Sequence, residues 1–195
     1  MFHFRERQIK KLLKKVKAFQ AARESAEPSE SALKKEIKTY LKLISIYQKF
    51  IGNKRHPHAH LKMVECYRVA AGLKDPESCF VLGKIMLDEG NCRQALEEEG
   101  FLTHPVNQKD RDKCYEQAHV YLEAATQLGH IEAMRLLGMC YIHGWGKPAD
   151  KDKGFDMVVN SIDKDNAWDK LPDIFARLGL NKPELISELM QYRRR

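Results

Sequence analysis

Cys140 and His143 stand three residues apart in the run Leu136-Leu137-Gly138-Met139-Cys140-Tyr141-Ile142-His143, a spacing that puts both on one helical face. A thiol beside an imidazole is the pairing that generates a thiolate nucleophile. The run around Cys140 is apolar, however, and a cysteine in such a setting behaves as a small hydrophobe. A second cluster, His56-Pro57-His58-Ala59-His60 with Cys66 beyond it, offers the ligand types that hold zinc. Alternate histidines project to one side only from an extended chain. Pro57 and the helix that follows place them in a loop-to-helix transition, so a solvated loop is the better reading. The chain has no glycine-rich phosphate loop, no His-Glu-x-x-His and no Gly-x-Ser-x-Gly. A non-enzymatic protein is expected, with no catalytic, metal-binding or cofactor-binding residue.

The elements that carry these residues must be helices. The chain has 195 residues, 43% hydrophobic and 31% charged, which suits a folded domain with a real core. No run approaches the roughly 18 apolar residues of a membrane span. The N-terminus lacks the apolar core and cleavage site of a secretory signal, and Glu6 with scarce serine argues against a mitochondrial presequence. The five cysteines, Cys66, Cys79, Cys92, Cys114 and Cys140, are odd in number and show no paired spacing, which points to a reducing, cytoplasmic setting. Residues 1–62 carry 16 Lys/Arg against 5 Asp/Glu, or +11, whereas the rest carries 18 against 22, or −4. The chain therefore reads as a basic arm on a mildly acidic body.

Ile9, Leu12, Leu13, Val16 and Phe19 recur at helical spacing, which predicts a helix over 2–24. Lys10, Lys11, Lys14, Lys15 and Lys17 fill most of its other face as a basic patch. Further helices are predicted from about Ala32 to Ile51, with Gly52 as a stop, and from His58 to Ala71. Another starts at Asp75-Pro76, where the aspartate caps and the proline fits the first turn, and ends at Gly90. A short helix near Gln94–Glu98 and a loop through Gly100, Pro105 and Asn107 follow. The remaining helices are expected near 110–128, 131–143, 151–163, 167–178 and 183–193. No segment alternates at period two, so no sheet is expected.

An internal repeat is visible at an offset of 55: Leu128 falls on Leu73, Glu132 on Glu77, Leu137 on Leu82, Gly138 on Gly83 and Ala125 on Ala70. A helical glycine costs about 1 kcal/mol against alanine, so Gly83 and Gly138 imply a close approach of helices. Ala124-Ala125, Gly129, Ala133, Leu137-Gly138, Tyr141, Gly144-x-Gly146, Asp150 and Lys153 follow one another in a distinctive order. This stretch, 124–154, resembles the Sel-one-like repeat family, a relative of the tetratricopeptide repeat. Gly154 stands where the family unit has alanine, and the first copy, with Met86 at the tyrosine position, keeps less of the pattern. The family unit runs about 36 residues, so an insertion of about 19, centred on Leu96 to Asp112, separates the copies.

The resemblance implies an all-α fold: a short right-handed solenoid of antiparallel helical hairpins with an N-terminal amphipathic extension. Residues 1–56 would be the basic extension, and 57–195 the repeat domain with a C-terminal capping helix. Ala70, Gly83, Ala125, Gly129, Ala133, Gly138 and Tyr141 would be repeat-packing positions. It also implies an adaptor or scaffold for another protein, in bacteria often within secretion or host-interaction systems. The partner would be a peptide or helix, with Tyr67, Phe101, Leu102, Tyr115 and Trp145 as candidate contacts. The basic helix either caps the body, meets an acidic partner, or touches an anionic membrane surface with Phe2 and Phe4 inserted. Nucleic acid fits less well, since no aromatic residues interleave the lysines.

Overall fold

The computed structural model describes the backbone of residues 2–177 and 183–194, with side chains from residue 4 onward. The Phe2 side chain and the end of the helix expected to reach 178 lie outside the described residues. Among those described there are nine α-helices and no strand: α1 Phe2–Ser25, α2 Glu30–Gln48, α3 Ala59–Gly72, α4 Pro76–Glu98, α5 Pro105–Gln127, α6 Ile131–His143, α7 Lys151–Asp165, α8 Leu171–Arg177 and α9 Pro183–Tyr192, with a 3₁₀ turn at Trp168–Lys170. No described helix is long and apolar enough to cross a membrane.

Side-chain caps fix most of the helix starts. Asp75 Oδ2 accepts from the Ser78 N–H at 2.9 Å, as its place before Pro76 demands. Ser29 and Asp150 cap α2 and α7 in the same way, and two histidines join them. His104 Nδ1 accepts from Val106 N–H at 3.2 Å, and His130 Nδ1 from Ala133 N–H at 3.1 Å.

The chain divides into two compact units, 1–79 and 80–195. In the first, α1 and α3 both pack on α2, around Val16, Tyr40, Leu43, Ile44, Tyr47, Cys66 and Ala70. The expected boundary at 56/57 falls inside this unit, where α3 shares a core with α1 and α2. In the second unit α6, α7, α8 and α9 close over Met139, Ile142, Phe155, Val158, Ile162, Phe175 and Leu189.

Two expectations about α4 and α5 need correction. Gly90 does not end a helix; α4 runs through it to Glu98. A β-carbon at Gly90 would lie 2.6 Å from the Tyr115 ring, so this glycine makes room for an aromatic side chain. The stop is Gly100, at φ +83°, where Gly100 N–H bonds to Glu97 O and Phe101 N–H to Leu96 O, a Schellman ending. Nor does the expected loop run through Pro105 and Asn107, which lie in α5. Apart from the turn at 99–104 the insertion is taken up as helix, with α4 at 23 residues against 13 for α6, and α5 at 23 against 15 for α7.

Gly83 and Gly138 both sit at close helix approaches. A β-carbon at Gly83 would come within 2.7 Å of Leu122 on α5. At Gly138 it would meet the Gly154 carbonyl oxygen at 2.7 Å, and at Gly154 the Gly138 oxygen at 2.6 Å and the Ile142 nitrogen at 2.9 Å. The two backbones thus touch, and neither glycine tolerates a methyl group. Arg135, 2% exposed, braces the same pair of helices by donating to Ser161 O at 3.1 Å and to the Asp165 carboxylate at the end of α7. Gly154→Ala is expected to cost about 1–3 kcal/mol of stability through overpacking, read as a lower urea midpoint. Gly72→Ala, with open space around it, should leave the midpoint unchanged or slightly raised.

Candidate helical docking groove

Helix α1 is pinned to its own unit at both ends. Near its C-terminal end Arg23 pairs with Glu36 at 3.1 Å, and Glu36 is 1% exposed. One turn earlier Gln20 Nε2 donates to the Tyr40 hydroxyl at 3.3 Å. Burial first, and the Glu36 carboxylate second, push the Tyr40 phenol above its ordinary range. Near the N-terminal end His56 lies 3.3 Å from the Glu6 carboxylate and packs on the Phe50 ring at 4.1 Å. Between the pins Val16 is buried and Ile9 and Leu12 pack on the core. Leu13, expected on the inner stripe, is 40% exposed instead.

Docked in this way, α1 leaves an open groove of about 730 Å³ along α2, lined by Phe4, Arg7, Gln8, Lys11, Leu12, Lys15, Lys42, Ser45 and Ile46. The α1 residues form two neighbouring rows at four-residue spacing. Arg7, Lys11 and Lys15 make a cationic row, and Phe4, Gln8 and Leu12 the row beside it. Lys42 supplies a fourth positive charge from α2, and Ile46 an apolar wall. No carboxylate lines the groove. Lys11 and Lys15 of the expected basic patch therefore belong to it, whereas Lys10, Lys14 and Lys17 are exposed outside its lining. Arg7 and Lys42 were not singled out from sequence. Arg7 was legible as the residue four before Lys11, but Lys42 needed the packing of α1 on α2.

The other predicted contact residues are scattered. Tyr67 is half-buried against the core of the first unit. In the second unit Tyr115 is 5% exposed and belongs to the core, not to a surface. Its hydroxyl lies 3.0 Å from Asn91 Oδ1 and 2.7 Å from Gln94 Oε1, and its ring stacks on Trp145 at 5.6 Å. Trp145 is half-buried between Tyr115 and His143. Phe101 is 74% exposed at the turn between α4 and α5, with Leu102 half-buried beside it.

Cys140 is fully buried, and burial pushes its thiol up to about 12, so it stays protonated at neutral pH. Cys66 lies in the core of the first unit with its thiol raised to about 11 by burial and then by Glu65. His58 and His60 are exposed. Among the described residues no group of three His, Cys, Asp or Glu side chains is placed to hold a metal ion.

His119 is a buried titratable group that no sequence motif marks. It is 1% exposed, neither ring nitrogen has a hydrogen-bond partner, and its ring meets Tyr141 edge-on at 5.1 Å. Lys153 Nζ sits 4.0 Å over the Tyr141 ring. Burial, with Lys147 and Lys153 beside it, holds the imidazole below its ordinary range, and Glu123 only partly opposes this. Compared with known proteins, the chain matches no family model and no curated protein.

Two outcomes are expected. Arg23→Ala leaves Glu36 buried without its cation and should cost roughly 2–4 kcal/mol, with α1 amides losing hydrogen-exchange protection and Arg23→Leu/Glu36→Leu restoring most of it. For His119 the folded-state affinity for a proton is depressed. The stability it contributes is whole above the unfolded pKa of about 6.5 and is lost as pH falls below that value. His119→Phe should flatten the decline in the urea midpoint measured through that window.

Proposed function

We propose that the chain is a non-enzymatic adaptor or scaffold that captures a peptide or helix of another protein, with the α1–α2 groove as a docking place. The observation that carries this reading is the groove itself: an apolar floor bordered by four cations, with no carboxylate in the lining. Such a surface recognises shape and charge together, as helix-in-groove interactions do. The membrane alternative has less support, because α1 packs its apolar stripe against its own core, leaving mainly Phe4 and Leu13 to face a lipid surface.

The finer architecture belongs to the same proposal. A short right-handed solenoid of antiparallel hairpins, akin to Sel-one-like repeats, is supported by the equivalent placement of Gly83 and Gly138 against the following helix. Gly144 and Gly146, both left-handed, turn the chain between α6 and α7 as the repeat pattern requires. Five unpaired cysteines suit a cytoplasmic setting.

Site-specific photo-crosslinking in cells tests the reading. A benzophenone side chain at Gln8 or Ser45 should trap one protein adduct, and the same group at Lys17 should trap none. Equal adducts at Lys17, or adducts formed with lipid or nucleic acid in place of protein, would overturn it.

A further inference from the structure

Resting on that reading, we infer that the groove takes an acidic amphipathic helix of about three turns, with carboxylates at i, i+4 and i+8 beside an apolar row. Arg7, Lys11 and Lys15 follow one another at four-residue steps on α1. At about 1.5 Å per residue the row runs about 12 Å. A second helix lying along α1 repeats side chains at that same pitch, so three carboxylates meet three cations in one register. A further acidic residue on the opposite flank faces Lys42 across the groove.

The floor favours a helix over an acyl chain or a nucleic acid. Phe4 and Leu12 are separated in their row by Gln8, and Ile46 on α2 is accompanied by Ser45. The apolar contacts are therefore discrete, which suits side chains that recur every helical turn. A hydrocarbon tail would lie across the Gln8 amide and the Ser45 hydroxyl without satisfying them. A phosphate backbone would meet the cations but leave Phe4, Leu12 and Ile46 against water. Phe4 is 64% exposed, so covering it adds favourable burial for an occupant with an apolar face.

The test uses the full chain and three kinds of probe. The first is a fluorescent, lactam-stapled helical peptide with glutamates at i, i+4 and i+8 beside leucines. The second is its isomer, with the glutamates moved off that spacing. The third kind comprises phosphatidylserine vesicles and duplex DNA. Fluorescence anisotropy should show the first peptide binding at least tenfold tighter than its isomer. Lys11→Glu/Lys15→Glu and, independently, Lys42→Glu should each weaken it tenfold, with the far-UV helix signal unchanged. Equal affinity for the two peptides, or no binding of either, would overturn the inference about register while leaving protein docking in the groove standing. Vesicles or DNA binding in place of both peptides, and released by the same substitutions, would overturn the inference and the adaptor reading together.

Discussion

The first unit depends on the burial of one carboxylate. Glu36, in the middle of a helix that packs on both its neighbours, is almost wholly removed from water, a position that disfavours an unpaired charge by several kcal/mol. Arg23 answers it from the last turns of α1. The pair is weak evidence for stability in absolute terms, since two well-packed leucines would do as well. Its effect is on specificity. Only one seating of α1 brings the guanidinium to the carboxylate, and that seating also places Val16 in the core and Gln20 beside the Tyr40 hydroxyl.

The seating divides the surface of α1 between two tasks. Its apolar stripe faces the core. One row over lie Phe4, Gln8 and Leu12, at the edge of the contact with α2, and beyond them the cationic row. A helix alone in water would expose its apolar stripe and leave its lysines open to any anion. Packed on α2, it presents some of its charges at the border of a concave apolar strip. The long lysine stems add carbon to the walls while their ammonium groups stay wet.

Much of the helical framework was legible in the sequence. The Asp75-Pro76 start, the interruption between 128 and 131 and the helix over 131–143 follow from capping chemistry and apolar period, and each stands where these signals put it. Gly90 was misread because a glycine has two uses that look identical in sequence: ending a helix, or yielding space to a neighbour. Only the Tyr115 ring, a long-range partner, decides between them. Tyr115 was expected among the contact residues for a related reason, since an aromatic residue on a helix serves either a core or an interface; Trp145 is half-buried. At Gly154, set against Gly138, the departure from the Sel-one-like pattern coincides with a contact that leaves no room for alanine. Two of the groove's four cations, Lys11 and Lys15, were legible as part of a basic patch. Its depth and its fourth cation come from the way α2 lies beside it.

The extra turns of α4 and α5 have an electrostatic consequence. Beyond Tyr115 the two helices are joined mainly by charged and amide groups: Arg93, held by Glu89 on its own helix, with Asn107 and Asp110, and Arg111 with Glu97. Few apolar side chains are buried between them there, so polar contacts carry most of the joining at this end. Ion pairs at the surface weaken as salt rises. Phe101 therefore stands exposed on a tip whose cross-links are salt-sensitive, beyond the last aromatic stack at Tyr115 and Trp145.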